Sequence, residues 1–327
     1  MNFPGGSVYT KPWVVELMLD IAGYTADRDL SSLKVLEPSC GCGAFIISVV
    51  RRLCASARFY GRSVDSLRKC ILGIDINEES ARICRNNIVE LLSSEGFSSS
   101  DSKILASSWI ISEDFLLNSY NSYDLVVGNP PYIRSEDLPS ESRRSYADRL
   151  ETVTMGTDLF VGFIENGLRS LSTSGKLCFI CADRWMQNKY GSRLRKFVTE
   201  GYSMELICRM HGVDAFESEV SAYPAIVLIS KSDDRKCRYA VCSDDFGSTD
   251  VERLKHAITC GNCSDSMFFV SEMCVGGSRP WPLADAENMA IVERFKALFP
   301  TIEDSGVNIG IGVATGKDDV FITTCKD

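Results

Sequence analysis

Residues Tyr123–Tyr132 read YDLVVGNPPY. The run Tyr123–Gly128 has the length and apolar composition of a buried strand. It ends at Asn129-Pro130-Pro131-Tyr132. Two prolines stiffen this loop and remove two amide donors, so its carbonyls meet little competition from local N–H groups. The Asn129 side chain offers one oxygen acceptor, the Pro130 carbonyl offers another, and Tyr132 offers an aromatic face. Acceptors set beside a ring suit a planar group that bears an NH2. A plain rigid turn after an edge strand has no need of strand, acceptor, prolines and aromatic together.

Working outward from this loop, the chain alternates. Upstream, Thr10–Ala22 reads as a helix, with Pro12 in its first turn and Gly23 at its end. Lys34–Glu37 is a short strand, Ala44–Arg58 a helix, Cys70–Ile74 a second strand and Asn77–Leu92 a second helix. The serine-rich Ser93–Ser102 is expected as an exposed loop, and Lys103–Ser107 as a third strand. Downstream, Asp158–Leu171 reads as a helix and Lys176–Cys181 as a fifth strand. Met204–Arg209 and Ala225–Ser230 are strands with no convincing helix between them, expected as an antiparallel pair at one sheet edge. The fold class is therefore α/β: a mostly parallel central sheet with an antiparallel edge pair and helices on both faces. From about residue 232 the chain turns to short mixed segments. One amphipathic helix is expected there, Ala284–Phe299, with Met289, Val292, Phe295 and Phe299 on a packing face.

In an open parallel sheet, ligands bind beyond the carboxyl ends of the strands. Three more loops belong there. Glu37–Gly43 is EPSCGCG, where Gly41 and Gly43 let backbone pass close to a ligand and the following helix offers free amides. A dinucleotide fingerprint would place a third glycine at Ile46, so a nicotinamide or flavin enzyme is disfavoured. GIDIN places Asp75 at a strand end, where an acid accepts ribose hydroxyls or caps the helix Asn77–Leu92. EDFL places Asp114 beside Phe115, an acceptor for an adenine amino group next to a ring face for stacking.

Composition sets bounds on this reading. The 327 residues are 45% hydrophobic and 24% charged, as in ordinary globular proteins. No apolar run approaches the roughly 18–20 residues of a membrane span. The start, MNFPGGSVYTKPW, lacks a signal-peptide pattern, so a cytoplasmic protein with no membrane partner is expected. Fourteen cysteines at irregular spacing read as reduced thiols, and the lone CxxC, Cys260–Cys263, lacks the second pair of a zinc site, so no metal is expected. The net charge of −9 argues mildly against nucleic acid. Its counterweight is Arg184–Lys196, with Arg184, Lys189, Arg193, Arg195 and Lys196, which read in isolation is a solvated helix face.

Taken together, VYTKPWVVELM, VLEPSCGCGAF, GIDIN, EDFL and VVGNPPYIR, in that order, resemble the class I methyltransferases. More narrowly, they resemble the gamma-arrangement N6-adenine DNA methyltransferases of restriction-modification systems. TDLFVGFIENGL, GKLCFICADRWMQNKYGSRLRKF, DAFESEVSAYPAIVLISK and GIGVATGKDDVFI also look like that family. The resemblance implies a Rossmann-like catalytic domain over residues 1–231. It implies an extension over 232–327 that leads toward a target-recognition domain, with this chain the front part of a longer protein. It implies S-adenosyl-L-methionine as cofactor and double-stranded DNA as partner, with a restriction endonuclease or a recognition domain or subunit beside it.

Residue roles follow from the same resemblance. Thr10, Glu37, Pro38, Ser39, Cys40, Gly41 and Gly43 would line the methionine end of the cofactor. Asp75 would hold its ribose, with Ile76 against the adenine that Asp114 and Phe115 bind. Asn129 and Pro130 would accept from the target amino group, with Asn129 also among the cofactor-binding residues, Pro131 stiffening the loop and Tyr132 stacking on the flipped base. Phe216 matches a second aromatic against that base, or is a core phenylalanine. The rival readings are methylation of RNA adenine or of a protein glutamine amide, and a non-catalytic cofactor-binding recognition subunit.

Overall fold

The strand at Tyr123–Gly128 lies inside a ten-stranded sheet in the computed structural model. The structure describes residues 8–154, 156–218, 223–232, 236–284, 286–300, 302 and 304–307. Helix α1 (Pro12–Ile21) precedes β1 (Val35–Glu37), and α2 (Ala44–Phe59) and the short α3 (Val64–Leu67) lead to β2 (Ile71–Asp75). Helices α4 (Glu78–Ser94) and α5 (Ser99–Trp109) lead to β3 (Ile110–Ser112). After β4 (Tyr123–Gly128) come α6 (Ser140–Arg149), α7 (Phe160–Arg169), β5 (Leu171–Ala182) and α8 (Ser192–Gly201). The remainder is β6 (Ser203–Arg209), β7 (Pro224–Ser230), β8 (Cys237–Cys242), α9 (Val251–Cys260), β9 (Cys263–Ser264), β10 (Phe268–Met273) and α10 (Ala286–Leu298).

The strand order is β3-β2-β1-β4-β5-β7-β6-β8-β10-β9. The five strands from β3 to β5 run parallel. Strand β7 then pairs antiparallel with both β5 and β6. The pair expected at an edge is thus antiparallel but interior, because β8, β10 and β9 carry the sheet further. Residue 231 falls between β7 and β8 of this one sheet. The first compact unit accordingly runs Met1–Leu283, and the second is Ala284–Asp327.

Side chains alternate across each strand with period two. Val35, Leu125, Val127, Cys178, Ile180 and Ile226 pack in one core beneath α1, α2, α4, α5 and α9. Leu36, Val126, Leu177, Phe179 and Val227 pack in the other, beneath α6, α7 and α8. Helices on both faces explain why these strands read as continuous apolar runs.

One expectation fails. Lys103–Ser107 is helical, part of α5, and the third strand is Ile110–Ser112. The serine run before it is partly helix as well. Ser98 caps α5 by accepting from the Asp101 amide at 3.0 Å. Leu105, Ala106 and Trp109 share the buried face, and the Trp109 indole donates to the Leu67 carbonyl at 3.0 Å. Serine is a cap as readily as a loop residue, and composition alone does not separate the two.

In the second unit, α10 matches the expected helix, but Val292, Phe295 and Phe299 are exposed, with the Phe295 and Phe299 rings 5.7 Å apart. Met289's side chain and the segment GIGVATGKDDVFI lie outside the described residues. The basic segment is not one solvated face. Arg195 is buried and donates to the carbonyls of Asn188 and Ser278, while Arg184 lies 5.0 Å over the Tyr223 ring. No described helix is long and apolar enough to cross a membrane.

Candidate active site

The chain leaves β1 toward β2 on one side of the sheet and returns to β4 on the other. The carboxyl ends of β1 and β4 are neighbours at this reversal, and a crevice opens there for topological reasons. The cavity is lined by all four loops singled out in the sequence. They contribute Glu37 to Gly41, Asp75 and Ile76, Asp114 and Phe115, and Asn129 to Tyr132; Thr10 adds the end of the strand-like segment before α1.

Backbone geometry explains the glycines. Gly41 and Gly43 have φ of +52° and +101°, the left-handed region that side chains resist. Gly43 starts α2 and does not line the cavity, so its part is to turn the chain. The Gly41 amide donates to Asp75 Oδ2 at 2.8 Å, and Asp75 Oδ1 accepts from the Asn77 amide at 2.8 Å. Asp75 therefore ties two loops together. The cap of α4 is Asn77, which accepts from the Glu79 amide at 2.9 Å.

The Asn129 side chain is held in one orientation. Its Nδ2 donates to the Val8 carbonyl at 3.0 Å. Oδ1 is then buried with no hydrogen-bond partner among the described residues. An amide has two donors and an acceptor at opposite ends, so fixing Nδ2 on a carbonyl fixes where the acceptor points. Ser39 Oγ donates to the Asn129 carbonyl at 3.3 Å, joining this loop to the first.

Three other buried polar atoms at the site lack partners among the described residues: Thr10 Oγ1, Glu37 Oε2 and the Tyr132 hydroxyl. Natural interiors rarely leave such atoms unpaired, so four around one cavity mark a place for a polar ligand. Glu37 is 2% exposed, and burial pushes its carboxyl well above the usual range, with charge on Cys84 and Asp75 adding to the effect. Burial also raises Asp75.

Phe216 lies beside this group, bridged to Thr10 in a short antiparallel contact. Its ring meets that of Tyr132 edge-on at 6.4 Å. It is buried and does not itself line the cavity. The sequence reading missed several lining residues, among them Val8, Asn77, Tyr146, Leu159 and Phe163. Phe163 stands 5.4 Å from Phe115 across the helical face of α7. Nothing in a spacing rule marks a residue about thirty positions downstream as part of the same pocket. His211 lies elsewhere, against Asp183 at 2.8 Å, and burial lowers its pKa.

The profile of the Eco57I restriction-modification methylases matches residues 69–216, which hold Asp75, Asp114, the Asn129 loop and Phe216. The type II methyltransferase M.PaeR7I of Pseudomonas aeruginosa is 37% identical over 97% of this chain and 56% of its own length. M.BstVI of Geobacillus stearothermophilus is 37% identical over 97% of this chain and 60% of its own. The chain belongs to the methyltransferases of restriction-modification systems. The chain spans somewhat over half the length of the curated relatives it matches. Among solved structures, the type I restriction-modification methyltransferase subunit of Streptococcus thermophilus superposes with a TM-score of 0.60 at 16% identity. That match covers 82% of this chain and 56% of the other, a likeness of fold.

Proposed function

We propose that the protein binds S-adenosyl-L-methionine in this cavity and methylates the N6 amino group of adenine in double-stranded DNA. The observation that carries the reading is the Asn129 amide, pinned through Nδ2 so that a buried, unpartnered Oδ1 borders the cavity beside Pro130 and Tyr132. M.PaeR7I and M.BstVI are type II methyltransferases by name, which supports the reaction class.

An adenine amino nitrogen is a poor nucleophile, because its lone pair is delocalised into the ring. Hydrogen bonds from its protons to Asn129 Oδ1 and the Pro130 carbonyl draw the nitrogen toward a tetrahedral shape. The same acceptors stabilise the positive charge that grows on it, a preorganised electrostatic effect. Tyr132 offers its face to the base, with Phe216 behind its edge. Since the amino group is paired in the duplex, the base must leave the stack to reach this loop. The bound cofactor supplies a methyl already activated on a sulfonium. Thr10 and Glu37 would hold its methionine end, Asp75 its ribose, and Asp114 with Phe115 its adenine. No strong base is required at the site, because the methylated nitrogen is cationic and acidic and releases its surplus proton to water.

Nucleoside mass spectrometry on DNA from cells expressing the gene should show N6-methyladenine above the level in cells expressing an Asn129→Ala form. Label from methyl-tritiated cofactor found only in RNA or protein, or in nothing, overturns the proposal.

Glu37 gives a pH test of the cofactor half. Burial favours its protonated form in the free protein. A cationic ligand favours the ionised form, so binding should displace the proton. Affinity should rise with pH while the pH lies below the free-protein pKa, by up to about tenfold per unit, and level off above it. Calorimetric titration in buffers of different ionisation enthalpy should detect the released proton. In Glu37→Gln both the slope and the release attributable to this group should vanish; an unchanged slope there argues against this role.

A further inference from the structure

We infer that Tyr146, a residue outside the sequence motifs, is a positioning residue for the adenine end of the cofactor pocket, acting through the Asp114 carboxylate. The inference rests on the reading of the cavity as a cofactor site. Tyr146 sits on α6 within the stretch that follows the catalytic loop, is 2% exposed, and lines the same cavity as Asp114, Phe115 and Phe163.

The geometry is specific to the carboxylate. The Tyr146 hydroxyl donates to Asp114 Oδ2 at 2.7 Å. Oδ1 of the same carboxylate accepts from the Leu116 amide at 2.9 Å. With each oxygen held by one donor, the plane of the carboxylate cannot turn about its last torsion, and Asp114 keeps acceptor capacity toward the cavity. One turn along α6, Arg149 repeats the attachment: its Nε donates to the Leu116 carbonyl at 2.8 Å and its guanidinium to Ser119 Oγ at 2.8 Å. Helix α6 is thus fastened to the adenine loop at both a side chain and its backbone. A hydroxyl aimed at a carboxylate from a buried ring is a costly arrangement to leave unmade, and its strength exceeds that of a bond between neutral groups.

Held this way, Asp114 accepts from a ligand that presents an N–H, and opposes one that presents a carbonyl at the same place. Adenine carries an amino group at that carbon; hypoxanthine carries an oxygen. Tyr146 therefore contributes to base selectivity, and removing only its hydroxyl lets the carboxylate turn away.

The test is calorimetric titration of the intact protein with S-adenosylhomocysteine and with S-inosylhomocysteine, for wild type, Tyr146→Phe and Asp114→Asn. Wild type should bind the adenine ligand and discriminate strongly against the hypoxanthine one. In Tyr146→Phe the adenine ligand should weaken about tenfold, close to the low end of what a hydrogen bond to a charged group is worth. The hypoxanthine ligand should change less than about twofold, so the preference for adenine falls. In an Asp114→Asn background the Tyr146→Phe change should lose most of its effect, as coupled residues do. Equal weakening of both ligands, or no weakening of either, overturns the assignment: the first is loss of packing, the second an idle hydroxyl. If wild type binds neither ligand, the reading of the cavity falls and this assignment with it. The far-ultraviolet spectrum and melting temperature of Tyr146→Phe should match wild type, since the ring that fills the core is kept; a variant that melts well below wild type also counts against a role confined to Asp114.

Discussion

On the proposed reaction, Asn129→Ala should lower methyl transfer about 100- to 1,000-fold, the loss typical of removing one preorganised hydrogen-bonding group from a transition state. It should leave the affinity for S-adenosylmethionine within a few-fold of wild type. The asymmetry follows from where the charge develops. The Asn129 Oδ1 acceptor is unpartnered in the protein and meets its proton only when the target amino group arrives. Its worth grows as that nitrogen becomes cationic, so the loss falls on the rate at saturating ligands. Single-turnover assays under saturating cofactor and DNA measure it directly. Asn129→Asp separates the orientation from the acceptor. The new carboxylate keeps an oxygen toward the cavity but sets a second one against the Val8 carbonyl, which now accepts from Nδ2 at 3.0 Å. Only the protonated acid can donate to Val8 and accept from the base at once. The rate of Asn129→Asp relative to wild type should therefore rise as pH falls. Full activity in Asn129→Ala would remove this residue from the mechanism.

The loops that line this cavity were legible because each joins a strand end to an unusual residue combination. NPPY after an apolar strand, two glycines after Glu37, and an acid at the end of β2 are local features, and local features survive in a single sequence. The glycines were read as positions of close approach to a ligand; Gly41 lines the cavity, whereas Gly43 turns the chain at positive φ. What Asp75 does was half visible: its place at a strand end is local, but its bond to the Gly41 amide joins loops 34 positions apart. Tyr146 and Phe163 were not visible. Phe163 lies in a stretch read only as a helix, and Tyr146 in Ser140–Arg149, a stretch given no element from the sequence; only the closure of the chain after the Asn129 loop brings both to the cavity beside Asp114. The third strand was misplaced for a related reason. Ser98 and Asp101 form a helix start that looks like a polar loop until the buried Trp109 at its far end is known. The interior position of the β6–β7 pair depended on strands from the segment after 231, whose weak patterns gave no sign of joining the sheet.

The stretch that carries Tyr146 is itself held by one buried acid, and Glu165→Ala should cost roughly 3–5 kcal/mol of stability, since each buried donor left without its partner costs about 1–3 kcal/mol. Glu165 lies on α7 and is 0% exposed. Its Oε2 accepts from the Thr152 amide at 2.8 Å and the Thr152 hydroxyl at 2.7 Å. Its Oε1 accepts from the Glu151 amide at 3.1 Å and Arg169 Nε at 3.0 Å. Every partner is a donor, so the site demands a group that only accepts. Alanine leaves two backbone amides and a hydroxyl without partners in the interior. Glutamine fills the space yet turns its NH2 toward donors whichever way it flips, and should cost roughly 1–3 kcal/mol. Urea unfolding with a common slope compares the three proteins. The effect should also reach the pocket. Residues 133 and 159 are joined by the Leu159 amide donating to the Ile133 carbonyl at 2.8 Å, which closes a loop that contains α6 and the Glu151–Thr152 corner. Releasing that corner in Glu165→Gln frees α6 before the sheet melts. The variant should then bind S-adenosylhomocysteine more weakly and be cut by protease within residues 133–159 at denaturant concentrations where the rest of the protein is still folded. A Glu165→Gln protein with wild-type stability and protease resistance would mean that the corner is held by its packing and not by the carboxylate.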